Sequence, residues 1–190
     1  MSEPTPSNTK AEIRDLTMAF GSYVVMRDIN AKIRTSEIFI IMGGSGCGKS
    51  TLLNHMIGLL RPAKGEILYD GVSLWDRDED DRALMLRNFG VLFQGSALWS
   101  SMTLAENIAL PLKEYTALNR SEIRDQARLK LALVGLSGFE DYYPSEISGG
   151  MQKRAGLARA MALDPELLFF DEPSSGLDPV SARNLDQLIL

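Results

Sequence analysis

Cysteine is almost missing from this chain: Cys47 is the only one in 190 residues, which excludes an intramolecular disulfide. That usage suits a reducing compartment. Long apolar runs are missing too, with none approaching the roughly 20 residues that span a bilayer. The opening MSEPTPSNTK has no apolar stretch of the kind a signal peptide needs. Positive charge is not in excess, since 20 Lys and Arg stand against 25 Asp and Glu for a net −5. An acidic balance argues against nucleic acid as the main partner, a task that favours a basic face. No internal repeat is visible, and residues 1–10 read as a polar, disordered leader. These absences predict a soluble, cytoplasmic chain that would meet a membrane only by docking onto another protein. What remains, 45% hydrophobic and 24% charged residues, is the profile of an ordinary globular domain.

Along the chain, residues 11–18 and 23–34 alternate enough to predict antiparallel strands. Residues 37–42, EIFIIM, form a short apolar run suited to a central strand buried on both faces. A helix is predicted from Lys49 to Leu60, a strand from Glu66 to Tyr69 and a tight turn at Asp70-Gly71. The acidic stretch within 76–87 suits a solvated helix start, and Asn88 to Phe93 a strand that leads into Gln94. Residues 104–110 and 121–134 read as helices. Ser148 is placed to cap a helix running to Leu163, followed by a strand from Glu166 to Phe170 and a last helix from 179. Strands alternating with helices predict an α/β fold with a mostly parallel sheet, an N-terminal antiparallel β subdomain and an inserted α-helical subdomain over about 95–163.

The stretch GGSGCGKST, residues 43–51, meets the pattern G-x-x-x-x-G-K-[ST] through Gly43, Gly48, Lys49 and Ser50. With Gly44 and Gly46 it carries four glycines, which permit backbone angles that turn successive N–H groups toward phosphate oxygens. Lys49 supplies a positive charge at the β- and γ-phosphates, Ser50 a hydroxyl for Mg²⁺, and the following helix its positive end. Gly43, Gly44, Ser45, Gly46, Cys47, Gly48, Lys49, Ser50 and Thr51 are therefore predicted to hold MgATP. The Asn-Lys-x-Asp stretch that reads guanine in small GTPases is absent.

Two carboxylates, Asp171 and Glu172, end the apolar run LLFFDE. In a parallel sheet strand ends of this kind face the crevice that the P-loop faces. Asp171 could hold Mg²⁺ and Glu172 could deprotonate an attacking water. A lone pair of this kind is often just a polar strand end; a P-loop elsewhere in the chain favours the catalytic reading. In Ile147-Ser148-Gly149-Gly150-Met151 a hydroxyl and two glycines open a helix, which makes a second anion site. Alone this would be an ordinary helix cap; beside a P-loop it fits a grip on the ATP of a partner chain.

Together these residues closely resemble the ATP-binding cassette (ABC) ATPase family, from about residue 11 to the C-terminus. GGSGCGKST is similar to Walker A, LLFFDE to Walker B, and ISGGM to the family signature, with Ile147 and Met151 where Leu and Gln are commoner. Gln94 matches the Q-loop, Ser174 to Asp178 the D-loop, and Phe20 the aromatic that stacks on adenine, with Tyr23 the weaker candidate. The resemblance implies ATP hydrolysis with Glu172, Gln94 and Lys49 catalytic, and Mg²⁺ held by Ser50, Gln94 and Asp171. It implies a head-to-tail homodimer in which Ser148, Gly149 and Gly150 close over the partner's ATP. It also implies a transmembrane permease as partner and a location on the cytoplasmic face of the inner membrane.

The run PSEISGGMQKRAGLARAMALDPELLFFDEPSSGLDP and the stretch GSALWSSMTLAENIALPL look like the ATPases of Mla- and Mce-associated lipid transporters. Phospholipid or another envelope lipid is the cargo this implies. The family's histidine downstream of Walker B has no counterpart: His55, the only histidine, lies in the helix after the P-loop and reads as a packed or surface residue. The expectation is thus a domain over 11–190 whose C-terminal end is missing, binding ATP but turning it over weakly alone. Three alternatives are an ABC ATPase subunit of another transporter class, an ATP-binding module with little turnover because of the truncated C-terminus, and a soluble ABC protein acting on ribosomes or DNA. The last class usually shows tandem cassettes or long coiled-coil insertions, neither of which is visible.

Overall fold

A hairpin opens the fold of the computed structural model, which describes residues 8–189. Strands β1 (Thr9–Phe20) and β2 (Tyr23–Arg34) pair antiparallel, with Phe20 opposite Tyr23 at the turn and Gly21 in the left-handed region that closes it. Of the leader expected over 1–10, residues 1–7 lie outside the described residues. Thr9 and Lys10 are instead part of β1, because Thr9 pairs with Arg34 and the Lys10 ammonium meets the Asp70 carboxylate at 2.7 Å. Ala11, Ile13, Leu16 and Met18 of β1 are all buried, although the step from 13 to 16 breaks strict alternation. A bulge at Asp15, whose φ is 46°, absorbs the extra residue and returns Leu16 to the buried face. Asn30 of β2 holds that bulge, accepting from the Asp15 N–H and donating to its carboxylate, both at 3.0 Å.

Strands β3 (Lys64–Tyr69) and β4 (Val72–Ser73) complete a sheet in the order β2-β1-β3-β4. Asp70 and Gly71 both have positive φ, the geometry of the tight turn expected there. Helix α1 (Lys49–Met56) buries Leu52, Leu53, His55 and Met56, and the Tyr69 hydroxyl donates to the Met56 carbonyl at 2.6 Å. Burial drives the Tyr69 hydroxyl's pKa upward. α1 ends four residues before the expected Leu60, since Gly58 turns left-handed and donates to the His55 carbonyl. α2 (Glu79–Leu86) starts with Glu79, Asp80 and Asp81, charges that suit a helix N-terminus.

One expectation fails here. Residues 37–42 belong to no strand, and Ile38, Phe39, Ile40, Ile41 and Met42 are exposed, Met42 at 88%. The chain leaves β2 at this point: Ser36 takes a φ of 60°, and Glu37 turns back to bond the Arg34 backbone. An apolar run states that it favours burial; it does not name the neighbours that would supply its backbone partners.

The chain divides into two units, one ending at Leu86 and the other beginning at Arg87. In the second, β5 (Phe89–Leu92) and β6 (Leu167–Phe170) form a parallel pair in register from Phe89–Leu167 to Leu92–Phe170. Among the described residues the parallel sheet consists of these two strands, beside the antiparallel N-terminal sheet that the α/β expectation included. Residues 95–163 carry α3 (Leu104–Tyr115), α4 (Arg120–Leu133), a 3₁₀ turn at Pro144–Glu146 and α5 (Gly149–Ala160). α6 (Pro179–Ile189) follows β6. Thr103 with Glu106 and Asn119 with Glu122 form reciprocal caps on α3 and α4. One core gathers Leu92, Leu104, Ile108, Leu131, Leu157 and Leu185 from these elements. α3 runs through Pro111 instead of stopping before it. Burial of Leu112 and Ala109 on either side offsets a break that would cost about 3 kcal/mol in an exposed helix.

Candidate nucleotide site

The loop from Gly43 to Gly48 is shaped by its glycines. Gly46 and Gly48 have φ of 77° and 102°, a region costly for residues with a Cβ. Gly44 and Gly46 have open space where a side chain would stand, whereas a Cβ on Gly43 would lie 2.6 Å from the Cys47 sulfur. Gly48 is the N-cap of α1 and has no side chain to cap it, so the helix presents its positive end along the loop. Lys49 folds back over that loop, its ammonium donating to the Gly43 and Gly44 carbonyls at 3.0 Å each. Ser45 and Ser50 are exposed and Thr51 is half-buried. The result is bare backbone, a cation and a hydroxyl at one helix start, the equipment for a chain of phosphates.

β2 closes one side of this region, since a Cβ on Gly48 would come within 2.9 Å of Val25 and 3.3 Å of the Met26 sulfur. Phe20 and Tyr23, at the tip of the same hairpin, are 54% and 70% exposed, so both rings have an accessible face. His55 is a packed helix residue, as its position suggested: it is buried, with Nδ1 2.7 Å from the Thr51 carbonyl.

The second unit holds the remaining candidates. The Asp171 N–H donates to the Leu92 carbonyl at 3.0 Å, continuing the ladder one residue past β6. Glu172 then takes a φ of 46°, which turns its exposed carboxylate off the strand axis. Gln94, 78 residues away in sequence, donates through Nε2 to the Glu172 carboxylate at 3.3 Å and to the Ser175 hydroxyl at 3.4 Å. Asp178 accepts from the Val180 and Ser181 N–H groups at 3.0 Å each. Bonds to Ser181 above all hold its pKa below the usual carboxylate value.

Ser148 is the N-cap of α5, its hydroxyl accepting from the Met151 N–H at 3.3 Å. Gly149 is open, while Gly150 is buried so closely against α6 that a Cβ would lie 2.9 Å from the Ser181 hydroxyl. The two glycines therefore serve different ends: one leaves room outward, the other lets two helices approach. Three residues of α5 went unread in the sequence. Lys153 is buried and donates to the Gln94 carbonyl, and its pKa is lowered chiefly by that burial, with Asp171 and Glu172 opposing. Gly156 lies under Leu92 and Ser96, and Arg159 donates to the Ala97 carbonyl at 2.6 Å and the Ser96 carbonyl at 3.2 Å. A lysine on the buried face of a helix was the available signal. Residues 43–51 and Phe20 thus belong to the first unit; Gln94, Asp171, Glu172 and 148–150 belong to the second.

The sequence pattern of the ABC transporter family matches residues 26–175. The chain therefore belongs to the ABC transporter family, as a member of its ATP-binding domains, with the α/β P-loop fold of that class. It is 48% identical over 188 residues to the probable ribonucleotide transport ATP-binding protein Mkl of Mycobacterium tuberculosis, a match covering 99% of this chain and 52% of that protein. It is 42% identical over 178 residues to the intermembrane phospholipid transport system ATP-binding protein MlaF of Haemophilus influenzae, covering 94% of this chain and 67% of that one. A dimeric post-hydrolysis state of the cassette MJ0796 bound to ADP and Pi superposes with a TM-score of 0.82 at 31% identity, covering 94% of this chain and 81% of that one. The chain spans about half the length of the Mkl protein it matches.

Proposed function

We propose that this chain binds MgATP and hydrolyses it as the ATPase subunit of a membrane transporter, with phospholipid or a related lipid as cargo. The observation that carries the ATPase reading is the Gln94–Glu172 contact at 3.3 Å, which unites a strand-end carboxylate with an amide able to orient water. Family membership and the bare, lysine-covered loop at 43–48 support it. The glycines, Ser45, Cys47, Lys49 and Thr51 take the phosphates, and Phe20 stacks on the base. The oxygens of Ser50, Asp171 and Gln94 suit Mg²⁺, a hard cation that favours oxygen ligands and would neutralise charge on the phosphates. Glu172 acts as general base. Ser148 and Gly149 contribute to the ATP of a second copy, in line with the dimeric MJ0796 cassette.

The likeness to MlaF supports lipid as cargo, and the likeness to Mkl, named for ribonucleotide transport, favours a different one. Among the described residues no helix is long and apolar enough to cross a membrane. We place the chain on the cytoplasmic face of the inner membrane, attached through a permease. Affinity purification from membranes tests this: a multispanning permease should copurify together with lipid-binding components. Recovery of a permease with nucleotide as its ligand would remove the lipid assignment and leave the ATPase reading standing.

A further inference from the structure

Residues 153, 156 and 159 recur at helical spacing and turn one face of α5 toward the segment that follows Gln94. Each meets the backbone of that segment: Lys153 at the Gln94 carbonyl, Gly156 at Ser96, Arg159 at the Ser96 and Ala97 carbonyls. The segment needs holding. Ser96 and Ala97 are both left-handed, with φ of 61° and 50°, a conformation that side-chain-bearing residues keep only where surroundings enforce it. Lys153 is 5% exposed, and an ammonium so buried is costly without a partner. A buried lysine with its ammonium on one carbonyl is poor packing material and a good fastener.

We propose that Lys153 and Arg159 are positioning residues that fasten the 94–97 backbone to α5, so that the Gln94 side chain is presented to Glu172 and Ser175. Lys153 acts one bond from the residue it orients, because it grips Gln94's own carbonyl. Gly156 sets how close the fastener lies, since a Cβ there would stand 3.1 Å from the Ser96 carbonyl oxygen and 2.8 Å from Leu92. Ser148 caps the same helix five residues before Lys153, about 7.5 Å along its axis. A displacement of that cap is thereby carried to Gln94 by one rigid body. The inference rests on the ATPase reading of the Gln94–Glu172 contact and adds the residues that set it.

The test compares Lys153→Met, Lys153→Arg and Gly156→Ala in the full chain, alone and combined with Gln94→Ala. MgATP binding, steady-state turnover and amide hydrogen exchange over 94–98 are measured for each. Lys153→Met should lower kcat ~10- to 100-fold through loss of geometry with KM for ATP little changed. Lys153→Arg should restore most of it, and exchange over 94–98 should quicken only in the Met and Ala variants. On the Gln94→Ala background Lys153→Met should have no further effect, because it acts through that residue. Equal losses on both backgrounds, or unchanged exchange over 94–98, would overturn the fastener. Failure of the unmodified chain to bind MgATP would instead remove the ATPase reading, and exchange alone would then decide the fastener.

Discussion

Two backbone segments, 43–48 in the first unit and 94–97 in the second, are held in left-handed conformations by opposite means. At 43–48 the unusual angles fall on Gly46 and Gly48, the residues for which they cost least, and space above Gly44 and Gly46 stays open. At 94–97 they fall on Ser96 and Ala97, and the side chains of a neighbouring helix enforce them. On the proposed reading the first segment wraps a ligand with its own N–H groups, and four of its six residues carry no side chain. The second must present one side chain, so it keeps side chains and is held from outside. Flexible backbone suits the first task and fastened backbone the second.

Glu172→Gln should lower turnover by ~10²–10⁴-fold, the usual worth of a general base, and leave MgATP binding in place. Gly48→Ala puts a Cβ on a residue with φ of 102° and 2.9 Å from Val25, and thermal denaturation should register a loss of about 1–3 kcal/mol. Ala97→Gly should do the reverse. Relief of the left-handed cost outweighs the added chain entropy, so stability should rise by about 0.5–1 kcal/mol. Loss of stability at Ala97→Gly would mean that 94–97 is not held under strain.

Smallest is a pH effect on the hairpin. Glu12 is held down to a pKa of about 2 by its bond to Arg14 first and to Lys32, its cross-strand partner, second. A carboxyl lowered from 4.5 in this way adds stability above pH 4.5 and loses it as the pH falls toward 2. Glu12→Gln should flatten that acid limb of the stability profile, and a limb unchanged by the substitution would assign it to other carboxylates.

Local signals were the readable ones. The hairpin strands, the Asp70-Gly71 turn and the Ser148 cap each rest on residues within a few positions of one another, where periodicity and turn chemistry act. The P-loop and the Asp171-Glu172 strand end were legible for the same reason. What failed was non-local. The run 37–42 has the composition of a buried strand, yet no strand among the described residues pairs with it. The helix read over 104–110 runs on through Pro111, whose cost is local and whose compensation, burial around α3, is not. Lys153 and Arg159 were missed likewise, since their partners lie about 60 residues away and take part through backbone carbonyls, which no sequence pattern marks.

Every role proposed for these residues depends on nucleotide binding at residues 43–51. Calorimetric titration of the full chain with MgATP, beside Lys49→Ala, measures it most directly. Saturable binding should weaken by about 1.5–3 kcal/mol in the variant, the worth of a charged hydrogen bond to phosphate. Equal affinity in the two proteins, or no binding by either, would contradict the account.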